Sequence, residues 1–255
     1  MLVDIHCHIL PGIDDGAQTI DDSLDMARVA VSEGISHILC TPHYNNGEYM
    51  NKKDNIIISV ADLQKELDNE GIPLTLFEGQ EIRISGDLIS RLALDELLFA
   101  DMSNRYILIE FPFSTIPLYS KQVLFDLVSR GCTPVIVHPE RNAKFMEDPN
   151  RLLPFLEMGC LTQVTCGSYL GKFGKHVKKA AEIMISHNMA HCLASDAHNT
   201  ERRGFYVKEA YALLEKQYGR EKREEFEQTA KDIVNGDPVE TLPVEPYKKK
   251  FKLFS

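Results

Sequence analysis

Two histidines two residues apart, in Asp4-Ile5-His6-Cys7-His8, are the first side chains in the chain able to do chemistry together. On an extended strand alternate side chains share a face, so both imidazoles point one way and Cys7 the other. That spacing suits a metal ion, but histidine pairs also occur without one, and the weight of the motif depends on partners elsewhere. Residues 2–5 read as a buried strand and Pro11-Gly12 breaks the chain, which puts the pair at a strand's C-terminal end, where α/β barrels build their sites.

Partners recur at the ends of the later apolar runs. His43 follows residues 37–41, Glu81 ends 74–81, Glu110 lies in 106–111, His138 ends 133–138, and Asp196 with His198 follows 191–195. Asp14 and Asp15 occupy the turn after the first strand. Any one of these is ordinarily a turn residue or a helix cap. Their recurrence at six of seven strand ends is not explained that way. Glu110 and His138 also close strongly apolar runs, where a polar group needs a partner to offset desolvation. For His138 a hydrogen-bonded core histidine is the alternative. Asp196-Ala197-His198 repeats the spacing of the opening pair.

The elements that must hold these residues alternate. Helical periodicity covers residues 19–34, 52–70, 119–130, 150–158, 175–187 and 203–218, with a last helix over 221–235. Seven short apolar strands between amphipathic helices predict an α/β fold with a parallel sheet, either a barrel or a doubly wound sheet. Pattern alone does not choose. Residues 1–236 read as one domain. Residues 237–255, with Pro238, Pro243, Pro246 and a run of lysines and aromatics, read as a solvated tail, docking or membrane contact being the alternative.

Composition narrows the function classes. The chain has 255 residues, 44% of them hydrophobic, enough for a full core, and a net charge of −10 that argues against general affinity for nucleic acid or an anionic membrane. No apolar run approaches the ~20 residues a membrane span needs, and no leader pattern precedes the first strand, so a cytoplasmic protein without stable membrane insertion is expected. The six cysteines lack CxxC spacing and none has arginine six positions later, so neither a zinc knot nor a cysteine-nucleophile phosphatase is indicated.

Taken in order, Asp4-Ile5-His6-Cys7-His8, Ile13-Asp14-Asp15-Gly16, Thr41-Pro42-His43, Gly79-Gln80-Glu81-Ile82, Leu108-Ile109-Glu110-Phe111, Val137-His138-Pro139-Glu140-Arg141 and Ala194-Ser195-Asp196-Ala197-His198-Asn199 resemble the polymerase and histidinol phosphatase (PHP) superfamily. The likeness covers about residues 1–235 and is greatest to its bacterial protein-tyrosine phosphatases of capsule and exopolysaccharide loci.

That resemblance implies a distorted (β/α)7 TIM-like barrel with three divalent metal ions. It implies His6, His8, Glu81 and Asp196 on one ion, Glu81 bridging to a second with Glu110 and His138, and Asp15, His43 and His198 on the third. Spacing alone leaves Asp14 open in place of Asp15. Four ligand carboxylates against three divalent ions leave about +2, which matches a phosphate dianion; two ions would leave about zero. The donor set suits Mn²⁺, Fe²⁺ or Zn²⁺, and the likeness favours Mn²⁺. Arg141 and Arg203 fall on the same rim in such a fold and are expected to hold phosphate. The implied reaction is hydrolysis of phosphotyrosine by a metal-activated hydroxide, on the tail of an autophosphorylated bacterial tyrosine kinase. Histidinol phosphate or another small phosphomonoester is the alternative substrate. An amidohydrolase is more distant, since no lysine ends a strand.

Overall fold

The apolar runs become short strands in the computed structural model, which describes residues 2–248. They are β1 (Leu2–Cys7), β2 (Ile35–Cys40), β3 (His43–Tyr44), β4 (Thr75–Glu78), β5 (Glu81–Arg83), β6 (Tyr106–Glu110), β7 (Thr133–Val137), β8 (Leu161–Thr165) and β9 (Cys192–Ala194). Strands β1, β2 and β4 form one sheet in that order, and β3, β5, β6, β7, β8 and β9 a second. Every pairing within them is parallel. The expected α/β class with parallel strands is the one found.

Helices make the crossovers: α1 (Ile20–Ser32), α2 (Lys53–Asn69), α3 (Leu88–Ala93), α4 (Ser120–Val128), α5 (Ala143–Glu147), α6 (Leu153–Leu156), α7 (Cys166–Leu170), α8 (Lys175–Ser186), α9 (Val207–Tyr218) and α10 (Arg220–Asn235). The strands are apolar on both faces because both faces are covered. Ile107, Ile109 and Ile136 join a cluster with helix residues such as Leu63, Leu124 and Met184. Their neighbours Leu108, Val135 and Val137 join a second cluster with Val3, Ile5 and Leu39, which Ala230 and Ile233 of α10 complete.

An unexpected short strand follows the second, and the expected strand over 74–81 is split in two. Pro42 has no N–H to continue the ladder, so β2 stops at Cys40 and the chain re-pairs as β3 with β5 (His43 opposite Glu81). The run over 74–81 breaks at Gly79-Gln80. A Cβ at Gly79 would lie 2.9 Å from Leu39 Cγ, and the Gln80 side chain bonds Leu98 N and Asn51 O rather than a strand neighbour. Each break moves a polar residue from one sheet into the other.

The helical expectations shift at two places. Residues 150–158 form a 3-10 turn and then the four-residue α6, with Pro154 in its first turn. Helix α9 begins at Val207 rather than 203, because the chain before it folds into a turn with Asn199 Oδ1 accepting from Arg203 N. Residues 237–248 lie on the surface and are tied to the domain by hydrogen bonds. Tyr106 Oη donates to Asp237 O, Glu245 N to His187 O, and Asn150 exchanges two hydrogen bonds with the Tyr247 backbone. The lysine- and phenylalanine-rich run from 249 onward lies outside the described residues.

Candidate metal centre

Strand alternation alone would not bring the opening histidines to the centre. Val3 and Ile5 join the second cluster, enclosed by the strands, while Cys7 joins the first, which the strands share with the crossover helices, and the pairing with β2 shifts register between Asp4 and Cys7. That irregularity changes which parity faces inward, and His6 and His8 follow. Two more candidates leave strand geometry altogether: His138 (φ 36°) and Asp196 (φ 52°) sit in the left-handed region, which a non-glycine residue adopts at a cost. Alternation past Val137 would have sent His138 outward with Ile136.

The turn carrying Asp14 and Asp15 is pressed onto the first strand. A Cβ at Gly16 would lie 2.0 Å from His8 O, so only glycine fits there. This contact separates the two aspartates. Asp14 is buried, accepting from His8 Nδ1 at 2.7 Å, Gly16 N at 2.9 Å and His43 N at 3.2 Å. Asp15 is more exposed and offers Oδ1 to His43 Nε2 at 3.2 Å and His198 Nε2 at 3.3 Å. Asp14 therefore orients a ring, and Asp15 turns Oδ1 toward the two Nε2 atoms.

The rings reveal where lone pairs point. The Gln163 carbonyl can only accept, so His6 Nδ1, 3.0 Å from it, carries the proton. Asp14 fixes the proton of His8 on Nδ1 in the same way. The two remaining nitrogens, both Nε2, face each other at 3.2 Å with Glu81 Oε2 3.4 Å from each and Asp196 Oδ1 3.5 Å from each. His198 likewise commits Nδ1 to Asp196 O at 2.9 Å and leaves Nε2 without a hydrogen bond. Glu81 Oε2 and His43 Nδ1 approach to 2.8 Å without hydrogen-bond geometry, and Asp196 Oδ1 lacks a hydrogen bond. Buried acceptors converging without donors fit a cation.

Glu81 is the hub, with His138 Nε2 2.6 Å from its other oxygen. Three groups have ligand atoms close enough to share an ion: His6, His8 and Glu81; His43, Glu81 and Glu110; and His8, Asp15, His43 and His198. The electrostatics follow from the crowding. Burial opposes the Glu81 carboxylate, but His6, His43 and His138 outweigh it and hold its pKa well below normal. Burial and the Glu81 charge lift Glu110 to about 7. Burial also disfavours the Asp196 carboxylate, and Arg141 with His6 outweighs it.

A cleft of about 610 Å³ opens over this group, lined by Asp15, Glu81, Glu110 and Asp196 and also by Arg141 and Arg203. Arg141 pairs with Asp196, and Arg203 Nη1 lies 2.7 Å from Asp15 Oδ2. All eleven residues singled out in the sequence thus meet at one place. Three others were not. Gln163 fixes His6, Arg83 holds Glu110 Oε2 at 2.9 Å, and Asp4 accepts from Ser195 N at 2.8 Å to anchor the Asp196 turn. Burial lifts the Asp4 carboxyl to about 6. Polar residues inside apolar strands were the signal for all three.

The family model described as capsular polysaccharide synthesis, CpsB/CapC, matches residues 2–235. The chain belongs to the CpsB/CapC family. Tyrosine-protein phosphatase YwqE of Bacillus subtilis (strain 168) is 43% identical over 253 residues, 99% of each chain. CapC of Staphylococcus aureus is 34% identical over 250 residues, 98% of each. Among solved structures, a chain from the crystal structures of YwqE from Bacillus subtilis and CpsB from Streptococcus pneumoniae, described as unique metal-dependent tyrosine phosphatases, superposes with a TM-score of 0.93 at 42% identity, covering 97% of this chain and 100% of that one.

Proposed function

We propose that the chain is a metal-dependent protein-tyrosine phosphatase of capsule or exopolysaccharide synthesis that works through three divalent ions, Mn²⁺ by preference. The observation that carries this reading is the pair of Nε2 atoms 3.2 Å apart beside Glu81 and Asp196, beneath the cleft that two guanidinium groups line. His6, His8, Glu81 and Asp196 hold one ion; Glu81, Glu110 and His138 the second; Asp15, His43 and His198 the third. Bound there, the ions supply Lewis acidity toward a phosphoryl oxygen and toward water.

The chain's own groups do the rest. Arg141 and Arg203 grip the non-bridging phosphate oxygens, and their pairing with Asp196 and Asp15 holds both forks in place beforehand. The leaving phenolate has a conjugate-acid pKa of ~10 and departs with little help from a general acid. A thiol nucleophile has no part, because all six cysteines are buried and burial pushes the Cys7 thiol up. We read the two sheets as one distorted (β/α)7 barrel over residues 1–236, with 237–255 as an appended segment. The bonds Asp196 N to His6 O (2.8 Å) and His8 N to Ala197 O (2.9 Å), which join β1 to the chain after β9, support that reading.

The physiological substrate on this account is the phosphorylated tail of a bacterial tyrosine kinase, reaching the cleft as an extended peptide. Among the described residues no helix is long and apolar enough to cross a membrane. The test is a substrate panel with Mn²⁺: phosphotyrosine peptides, histidinol phosphate, single-stranded DNA and a dihydropyrimidine amide. Turnover confined to the phosphotyrosine peptides is expected. Turnover of another substrate with none on phosphotyrosine would overturn the assignment.

A further inference from the structure

Phe113 stands out as an apolar ring that the fold does not use. It is 57% exposed and belongs to neither core cluster, yet it lines the cleft that holds Arg141, Arg203 and the ligand carboxylates. Single exposed apolar residues are common on flexible loops. The backbone here is fixed instead. Asn142 Nδ2 donates to Pro112 O and to Thr115 O, at 2.6 and 2.9 Å, and Ala143 N donates to Phe113 O at 2.7 Å. The preceding Phe111 is buried and packs edge-on against Phe145 and Phe155. The loop is anchored on both sides of a ring left facing the cleft.

The other phenyl ring on the wall, Tyr49, is nearly parallel to the His43 ring, with centroids 6.1 Å apart and 12° between planes. It has a partner within the protein. Phe113 is the ring left for a ligand.

We propose that Phe113 sets the preference of this cleft for aryl over alkyl phosphate esters by stacking on the ester's ring. The inference rests on the phosphatase reading of the site. With the phosphate between the two arginines, a phenyl ester begins its ring directly beyond the bridging oxygen and must leave through the open side of the cleft. A flat ring there gains offset or edge contact with Phe113, whereas a serine ester presents no flat surface. Leu118, fully exposed on the same loop, does not line the cleft and serves as the control.

The test uses the full chain loaded with Mn²⁺ and two ligands that cannot be hydrolysed, phenylphosphonate and methylphosphonate, with affinities read by calorimetry. The wild type is expected to favour phenylphosphonate about tenfold. Phe113→Ala and Phe113→Leu should bring the ratio close to one with methylphosphonate binding unchanged, while Phe113→Tyr and Leu118→Ala keep it. An unchanged ratio in Phe113→Ala, or equal weakening of both ligands, would overturn the inference. Phosphotyrosine turnover by the wild type is measured in parallel. Its absence with the ligand preference intact would overturn the phosphatase reading and leave the role of Phe113 standing.

Discussion

Nε2 of His6 and Nε2 of His8 face each other at 3.2 Å, each ring having committed its other nitrogen to an acceptor, Gln163 for one and Asp14 for the other. Two lone pairs at that distance repel unless a cation or a proton lies between them. A cation bound between them would satisfy both nitrogens at once, which links metal binding to the stability of the fold.

Removing one of the pair should break that link. His6→Ala is expected to lose bound metal and at least about a hundredfold in aryl phosphatase activity, with its far-ultraviolet circular dichroism retained. Chelation should lower the Tm of the wild type and leave that of His6→Ala nearly unchanged. Metal analysis and thermal melts with and without chelator check this. Activity surviving in the variant would mean that the pair is not a ligand set.

The residues behind the rings should act on affinity more than on turnover. Asp14→Asn and Gln163→Leu each leave the ligands in place but release a ring orientation, so metal binding should weaken about 10- to 100-fold. At saturating Mn²⁺ the kcat should return close to that of the wild type. Titrating metal into stripped protein measures both effects, and a loss of kcat that metal does not restore would contradict a purely orienting role for Asp14 and Gln163.

The arginines should separate by burial. Arg141→Ala strands the buried Asp196 carboxylate, whereas Arg203→Ala removes a partner of the more exposed Asp15. Each is expected to lower kcat/KM for an aryl phosphate about 10- to 100-fold, with Arg141→Ala also losing metal affinity. Unchanged kinetics in both would remove them from the site.

Far from the cleft, His191 predicts an acid limit of the fold. Burial, reinforced by Lys222, lowers its pKa to about 4, and its Nδ1 accepts from Thr162 N at 3.0 Å. A folded pKa below the unfolded ~6.5 means that the unfolded chain binds the proton first. The stability this provides is complete above pH ~6.5 and is lost as pH falls toward 4, to an extent on the order of 3 kcal/mol. Urea melts of metal-free protein across that range should show a weaker pH dependence in His191→Asn. An identical slope in both proteins would contradict it.

The sequence revealed the donors more readily than the means of aiming them. Polar residues ending apolar runs identified His6, Glu81, Glu110, His138 and Asp196, because desolvation makes such residues conspicuous. The parity of β1 did not follow from alternation, since it depends on a register shift with β2 that only the paired strand reveals. The left-handed turns at His138 and Asp196 are likewise set by tertiary contacts rather than by local propensity. The break at Gly79 depends on Leu39, forty residues earlier, and no window along the chain contains both. Asp14 and Asp15 are indistinguishable by spacing, and what separates them is the fit of Gly16 onto His8 O.

The most direct test is to strip the protein of metal, add Mn²⁺ in increments, and follow phosphate release from a phosphotyrosine peptide alongside bound metal per chain. A three-ion phosphatase should show no release when stripped and activity that rises to its plateau as about three ions bind. Full activity in the stripped protein, or a plateau reached with no ion bound, would contradict it.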